Sequence, residues 1–137
     1  MEDCPLCQPL ADHEIWRSTH WLAIANLNQN TLGKCFLVLD RHEEDVCALT
    51  PAEVQDLWSA MRVVRAALET CFQPDHFNYS FLMNRDAHVH LHVIPRYQTA
   101  RAFAEMDFAD DESIRERRLT AATHRMLVAR LRAACPQ

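Results

Sequence analysis

The sequence predicts an α+β domain: a mainly antiparallel sheet of about five strands with a capped central helix and a C-terminal helix. Three observations carry that prediction. Short runs rich in β-branched and aromatic residues recur along the chain, separated by polar turns. A single strong helix start, Thr50-Pro51-Ala52-Glu53, opens a long apolar-periodic stretch. The resulting order, β-β-β-α-β-β-α, has no regular βα alternation of the kind that builds a parallel sheet. The 137 residues suffice for one domain, 1–137, with 109–137 as a C-terminal helical extension.

Residues 14–24 read as two strands with a turn at 18–20. The polar loop NLNQNTLG follows and ends at Gly33. Residues 34–39 (KCFLVL) form a nearly continuous apolar run, the pattern of a strand buried on both faces. Thr50 then N-caps a helix, Pro51 suits its first position, and Glu53 completes a capping box. Val54, Leu57, Trp58, Met61, Val64, Ala67 and Leu68 share one face as far as about Cys71, and Pro74 closes the segment. Residues 76–83 and 88–95 read as a hairpin with a short turn at 84–86. The tail from 113 to 134 reads as an amphipathic helix with Leu119, Met126, Leu127 and Leu131 inward.

The totals narrow the function. A net charge of −5 argues against a nucleic-acid or membrane binder. No apolar run approaches the ~18 residues of a membrane span, and the N-terminus lacks a signal-peptide core. A cytoplasmic protein is expected, so the six cysteines are thiols or metal ligands. One glycine, Gly33, cannot build a Gly-rich phosphate loop. Cys35, Cys47, Cys71 and Cys135 stand singly in apolar surroundings and read as buried thiols.

The chemistry concentrates in HVHLHVIPRY, residues 88–97. On a strand, His88, His90 and His92 share one face about 6.5–7 Å apart, and Val89, Leu91 and Val93 enter the core. Ordinary surface polarity explains such a row poorly. A metal site is one reading, since an HxH pair can chelate zinc. Nucleophilic catalysis is another: neutral imidazole attacks phosphorus, a hydrogen bond fixes its tautomer, and a neighbouring imidazole protonates the leaving group. Cys4-Pro-Leu-Cys7 is a CxxC with no preceding strand, which favours zinc over thioredoxin-type redox work. His42 and His88 are the best remaining candidates to close a structural Cys2His2 set.

These residues resemble the histidine triad (HIT) superfamily of nucleotide hydrolases and transferases, in its CxxC zinc-containing branch. HVHLHVI is similar to its His-φ-His-φ-His-φ-φ motif, GKCFLVLDRH to its strand and turn, LTPAE to its helix start, and IPRY to its motif ending. The likeness covers roughly residues 4–108. It implies that His90 is the nucleophile on the α-phosphate of an adenosine-type nucleotide, such as a dinucleoside polyphosphate or a nucleoside phosphoramidate. A nucleotidyl-histidine intermediate would then be hydrolysed. It implies that His92 contacts phosphate and assists the leaving group, and that Cys4, Cys7, His42 and His88 hold structural zinc. It places Asn26 on the ribose, Ile24, Leu27 and Phe36 around the base, and Asn84 near phosphate. It also implies a homodimer. Two departures stand out: Lys34 replaces a frequent histidine, and the loop before the triad lacks glycine, with Arg85 and Arg96 as stand-in donors. The competing classes are a hydrolase with catalytic zinc on the histidine row and a nucleotide-binding protein with little turnover.

Overall fold

The computed structural model describes residues 3–8 and 10–137. Five strands form one antiparallel sheet: β1 (Glu14–Arg17), β2 (Trp21–Ala25), β3 (Cys35–Leu39), β4 (His76–Ser80) and β5 (His90–Arg96), in spatial order β1-β2-β3-β5-β4. Helix α1 (Pro51–Phe72) connects β3 to β4. Its N-terminus is the expected capping box. Thr50 accepts from the Glu53 N–H, and the Glu53 carboxylate accepts from the Thr50 N–H. Gln73, in the left-handed region at φ 47°, ends it.

The sheet has two different faces. Ala23, Ala25, Leu37, Leu39, Leu91 and Val93 join the main core, which takes Leu57, Ala60, Val64, Ala67, Leu68 and Phe72 from α1. Burying each of the larger aliphatic side chains contributes about 1.5–3 kcal/mol. The opposite face carries Leu22, Ile24 and Val38, covered in part by Leu6, Leu10 and Phe36. His90 pairs in register with Val38, and His92 with Phe36, so both lie on this second face. Val89, Leu91 and Val93 are buried, as the alternation requires.

Several local expectations need correction. Val54 and Trp58 belong to the apolar periodicity of α1, yet both are exposed. Strand β5 begins at His90 rather than His88. The Val89 N–H donates to Glu43 O and Val89 O accepts from Leu39 N–H, which draws residues 88–89 toward the turn after β3. The link from β4 to β5 spans residues 81–89 and is not a short turn.

The C-terminal helix, α2 (Ala121–Ala133), follows the Thr120 N-cap and begins eight residues later than the expected start at 113. Residues 114–118 are instead tied to the 26–30 loop: Asn28 Nδ2 donates to Arg115 O, Asn28 Oδ1 accepts from Arg117 N–H, and Asn30 Nδ2 donates to Ile114 O. Within α2, Leu127, Val128 and Leu131 are buried and Met126 is exposed. A small hairpin, β6 (Arg101–Phe103) with β7 (Met106–Phe108), also escapes the sequence reading. Its two-residue turn puts Ala104 and Glu105 at φ 52° and 63°, where Asn or Gly would be the usual signal. Cys47 is exposed, whereas Cys35, Cys71 and Cys135 are buried thiols. No helix among the described residues is long and apolar enough to cross a membrane.

Candidate functional site

Two groups of side chains meet near the start of β5 on the second face. The first gathers Cys4, Cys7, His42 and His88, whose ligand atoms all lie within 4.8 Å of one another. Cys4 and Cys7 flank a short 3-10 turn at Pro5–Cys7, closed by the Cys7 N–H on Cys4 O. Both sulfurs stand 3.4 Å from His88 Nδ1, and Cys7 Sγ stands 3.2 Å from His42 Nδ1. Four donors around a tetrahedral zinc, at bonds of about 2.0–2.3 Å, sit roughly 3.3–3.8 Å apart.

The outer contacts set the tautomers. His88 Nε2 lies 2.7 Å from Leu39 O and must donate to it, and His42 Nε2 lies 2.9 Å from the Glu44 carboxylate. Each ring therefore turns an Nδ1 lone pair toward the thiols, the arrangement a metal-ligating histidine adopts. The turn that carries His42 is itself anchored. Arg41 bonds both oxygens of Glu53 at 2.8 and 2.9 Å, and this pair holds the buried Glu53 carboxyl down at about 2. The donor set, spacing and tautomers all fit a structural metal of the zinc type.

The second group is His90 and His92. His90 is buried, and its Nδ1 donates to His88 O at 2.7 Å. A carbonyl can only accept, so Nδ1 keeps the proton and Nε2 keeps the free lone pair. The two rings are 5.0 Å apart, and Phe36 packs edge-on against both, at 4.9 and 4.5 Å. Burial first, then the nearby charges of His90 and Lys34, push the His92 imidazole down to about 4. His92 is therefore neutral near pH 7.

Beside them opens a cleft of about 540 Å³, lined by His92 and by all five residues expected at a nucleotide: Ile24, Asn26, Leu27, Phe36 and Asn84. Leu6 and Leu10 form part of its apolar wall, and Lys34, Arg85 and Arg115 stand along it. Two residues that sequence reasoning missed shape this cleft from behind. Gln29, fully buried, donates through Nε2 to Asn26 O and Lys34 O and accepts the Gly33 N–H. His124, from α2, places Nε2 3.2 Å from Asn26 O. Neither has a local motif: Gln29 looks like one more polar loop residue, and His124 like part of a helix face. Arg96, expected to face phosphate, is instead bound by Asp110 through two bonds of 2.8 and 3.0 Å, with Asn78 at 3.1 Å.

A model of the HIT domain matches residues 10–99, 90 of the 137 residues. The chain belongs to the HIT family. Its Cys4–Cys7–His42–His88 cluster fits the CxxC branch of that family. The chain is 28% identical over 109 residues to an asymmetrical bis(5'-nucleosyl)-tetraphosphatase of Schizosaccharomyces pombe. That match covers 76% of this chain but only 59% of the yeast protein. A HIT family protein of Bacillus anthracis is similar in structure, with a TM-score of 0.63 at 27% identity over 70% of this chain and 74% of its own. A Zn-bound histidine triad family protein of Mycobacterium smegmatis shares the fold with a TM-score of 0.64 at 20% identity, over 95% of this chain and 94% of its own.

Proposed function

We propose that this HIT domain is a nucleotide hydrolase that cleaves at the α-phosphate of adenosine-type nucleotides through a covalent nucleotidyl-His90 intermediate. The observation that carries the reading is the 2.7 Å bond from His90 Nδ1 to His88 O, which fixes the nucleophilic tautomer. The Nε2 lone pair forms a bond to the α-phosphorus, and the bond from phosphorus to the leaving group breaks with its electron pair. The positive charge this creates on the ring is stabilised by the Nδ1–H on the carbonyl. Water then attacks the same phosphorus and passes a proton to solvent, while the phosphorus–Nε2 bond breaks with its electron pair returning to nitrogen, which releases the nucleoside monophosphate and neutral His90. His92, neutral in the free protein, donates a hydrogen bond to phosphate and assists departure of the leaving group. Asn26 holds the ribose, Ile24, Leu27 and Phe36 enclose the base, and Asn84 lies by the phosphates. The relationship to a tetraphosphatase supports this class of substrate.

In the same reading Cys4, Cys7, His42 and His88 hold zinc. When bound, the metal supplies a crosslink between the N-terminal segment, the turn after β3 and the start of β5, with no open position for chemistry. A catalytic metal on the histidine row lacks such support, since the converging donors among the described residues do not include His90 or His92. The thiol ligands suit a cytoplasmic setting. The homodimer would form on β4, an edge strand that carries exposed Tyr79 and shares a cleft with exposed Trp58.

The test is a rapid acid-free quench with a nucleotide labelled in the α-phosphate. Label is expected on the wild-type protein at His90 and absent from His90→Ala, which keeps its metal and its melting temperature. Full turnover by His90→Ala would overturn the mechanism. Binding without any turnover by the wild type would favour a nucleotide-binding protein.

A further inference from the structure

A second cleft, of about 500 Å³, adjoins the nucleotide cleft. It runs along the same face of β5 past Ile94 to Arg96, and is walled by Thr31, Asp110 and Ile114. Only three residues line both clefts: Lys34, Arg85 and Arg115. All three are cations, brought together from the start of β3, the 81–89 loop and the segment before α2. Among the described residues, none of the three is in an ion pair.

The surrounding charges do not satisfy them. Asp110 is taken by Arg96, and Glu116 by Arg118. Asp111 accepts the Ser113 N–H in its own turn. Asp86 and Glu112 each line one cleft and not the other, so the side chains common to both clefts are all cationic. Lys34 is half-buried, and burial lowers its ammonium from the ordinary value. In a chain of net charge −5, three cations outside any ion pair, shared by two adjoining clefts, suit a bound anion.

We propose that Lys34, Arg85 and Arg115 form a polyphosphate-binding neck that selects substrates whose leaving group carries several phosphate charges. This rests on the hydrolase reading above. One organic end of the substrate occupies the cleft with Asn26, and the phosphate chain crosses the neck. The cations bind the charge that appears on the leaving phosphate when its bond to the α-phosphorus breaks, and they make no bond to phosphorus themselves. A leaving group without phosphate, such as the amine of a phosphoramidate, gains little from them. Lys34 and Arg85 thereby supply the donors that a glycine-rich loop would have provided. Arg115 adds one that only the C-terminal segment can bring.

The experiment compares kcat/KM for a dinucleoside tetraphosphate and for an adenylyl phosphoramidate in wild type, Lys34→Gln, Arg85→Gln and Arg115→Gln. Each substitution is expected to lower the ratio of the two values about tenfold, the scale of one charge-assisted bond, and Arg115→Lys should restore most of it. In parallel, titration calorimetry with inorganic tripolyphosphate and with orthophosphate reads the site without turnover. Tripolyphosphate should bind the wild type more tightly than orthophosphate, and more weakly to each Gln variant. If the wild type hydrolyses neither nucleotide, the hydrolase reading fails and the calorimetry alone decides the neck. Equal losses on both substrates, or tripolyphosphate binding indifferent to the three substitutions, would overturn the proposal and leave the hydrolase reading standing.

Discussion

Replacing Gln29 by Leu tests whether one buried amide organises the loop that carries both Asn26 and Lys34. The shapes are similar, so the cavity cost is small. The amide makes three side-chain bonds: Gly33 N–H to Oε1 at 2.7 Å, and Nε2 to Asn26 O at 2.8 Å and to Lys34 O at 2.9 Å. Each contributes a net ~0.5–1.5 kcal/mol. The two carbonyls keep other donors, Asn26 O from His124 and Lys34 O from the Asn26 N–H. The Gly33 N–H keeps none, and an unpaired buried donor costs about 1–3 kcal/mol. Counting the two carbonyl bonds and the unpaired donor once each, the expected loss is about 2–6 kcal/mol, a large part of a typical stability of ~5–15 kcal/mol. Urea unfolding followed by tryptophan fluorescence would read it as a free energy, and thermal unfolding as a melting temperature lower by roughly 7–20 °C. KM for the nucleotide should rise in the same variant, because Asn26 and Lys34 lose their shared tether. A loss below ~1 kcal/mol with unchanged KM would refute the reasoning.

Two further predictions follow from the cluster and the cleft. Cys4→Ser should cut bound zinc, measured by elemental analysis, from about one equivalent to a small fraction, and remove the dependence of melting temperature on added metal; full occupancy in that variant would exclude Cys4 as a ligand. The His92 imidazole is held down at about 4 from an ordinary 6.5 by burial and by His90 and Lys34. A depressed folded-state value means the unfolded chain binds the proton first. Stability from this group is complete above pH 6.5 and is lost as pH falls toward 4. His92→Gln should flatten the pH dependence of unfolding in that window, and an unchanged slope would count against the assignment.

Much of the site is legible in the chain because its signals are local. Alternation in HVHLHVI aligns the two strand histidines opposite three buried residues. The Thr50–Glu53 capping box needs only four consecutive residues. Side chains able to hold a metal are recognisable by type, so Cys4, Cys7, His42 and His88 can be chosen before their distances are known. Where signals are non-local, the reading slips. Trp58 has the right period for a core position and is exposed, because the period of a helix marks an apolar face but not which part of it finds a packing partner. The start of α2 shifts to Thr120, because Asn28 and Asn30 capture the preceding residues from a loop about 85 positions away, a separation visible in their bonds to Arg115 and Ile114. Arg96 reads as a stand-in phosphate donor and is bound by Asp110.

By itself, then, the sequence determined the α+β class, the capped helix, the histidine row and the identity of the converging ligands, because period, capping and ligand chemistry act over a few residues. The tertiary structure alone decided which imidazole nitrogen stays free, since His88 O, Leu39 O and Glu44 set the tautomers. It alone brought Gln29 and His124 behind Asn26, and Lys34, Arg85 and Arg115 to one constriction. Those contacts join segments far apart in the chain, and only folding brings them within hydrogen-bonding or Coulombic range.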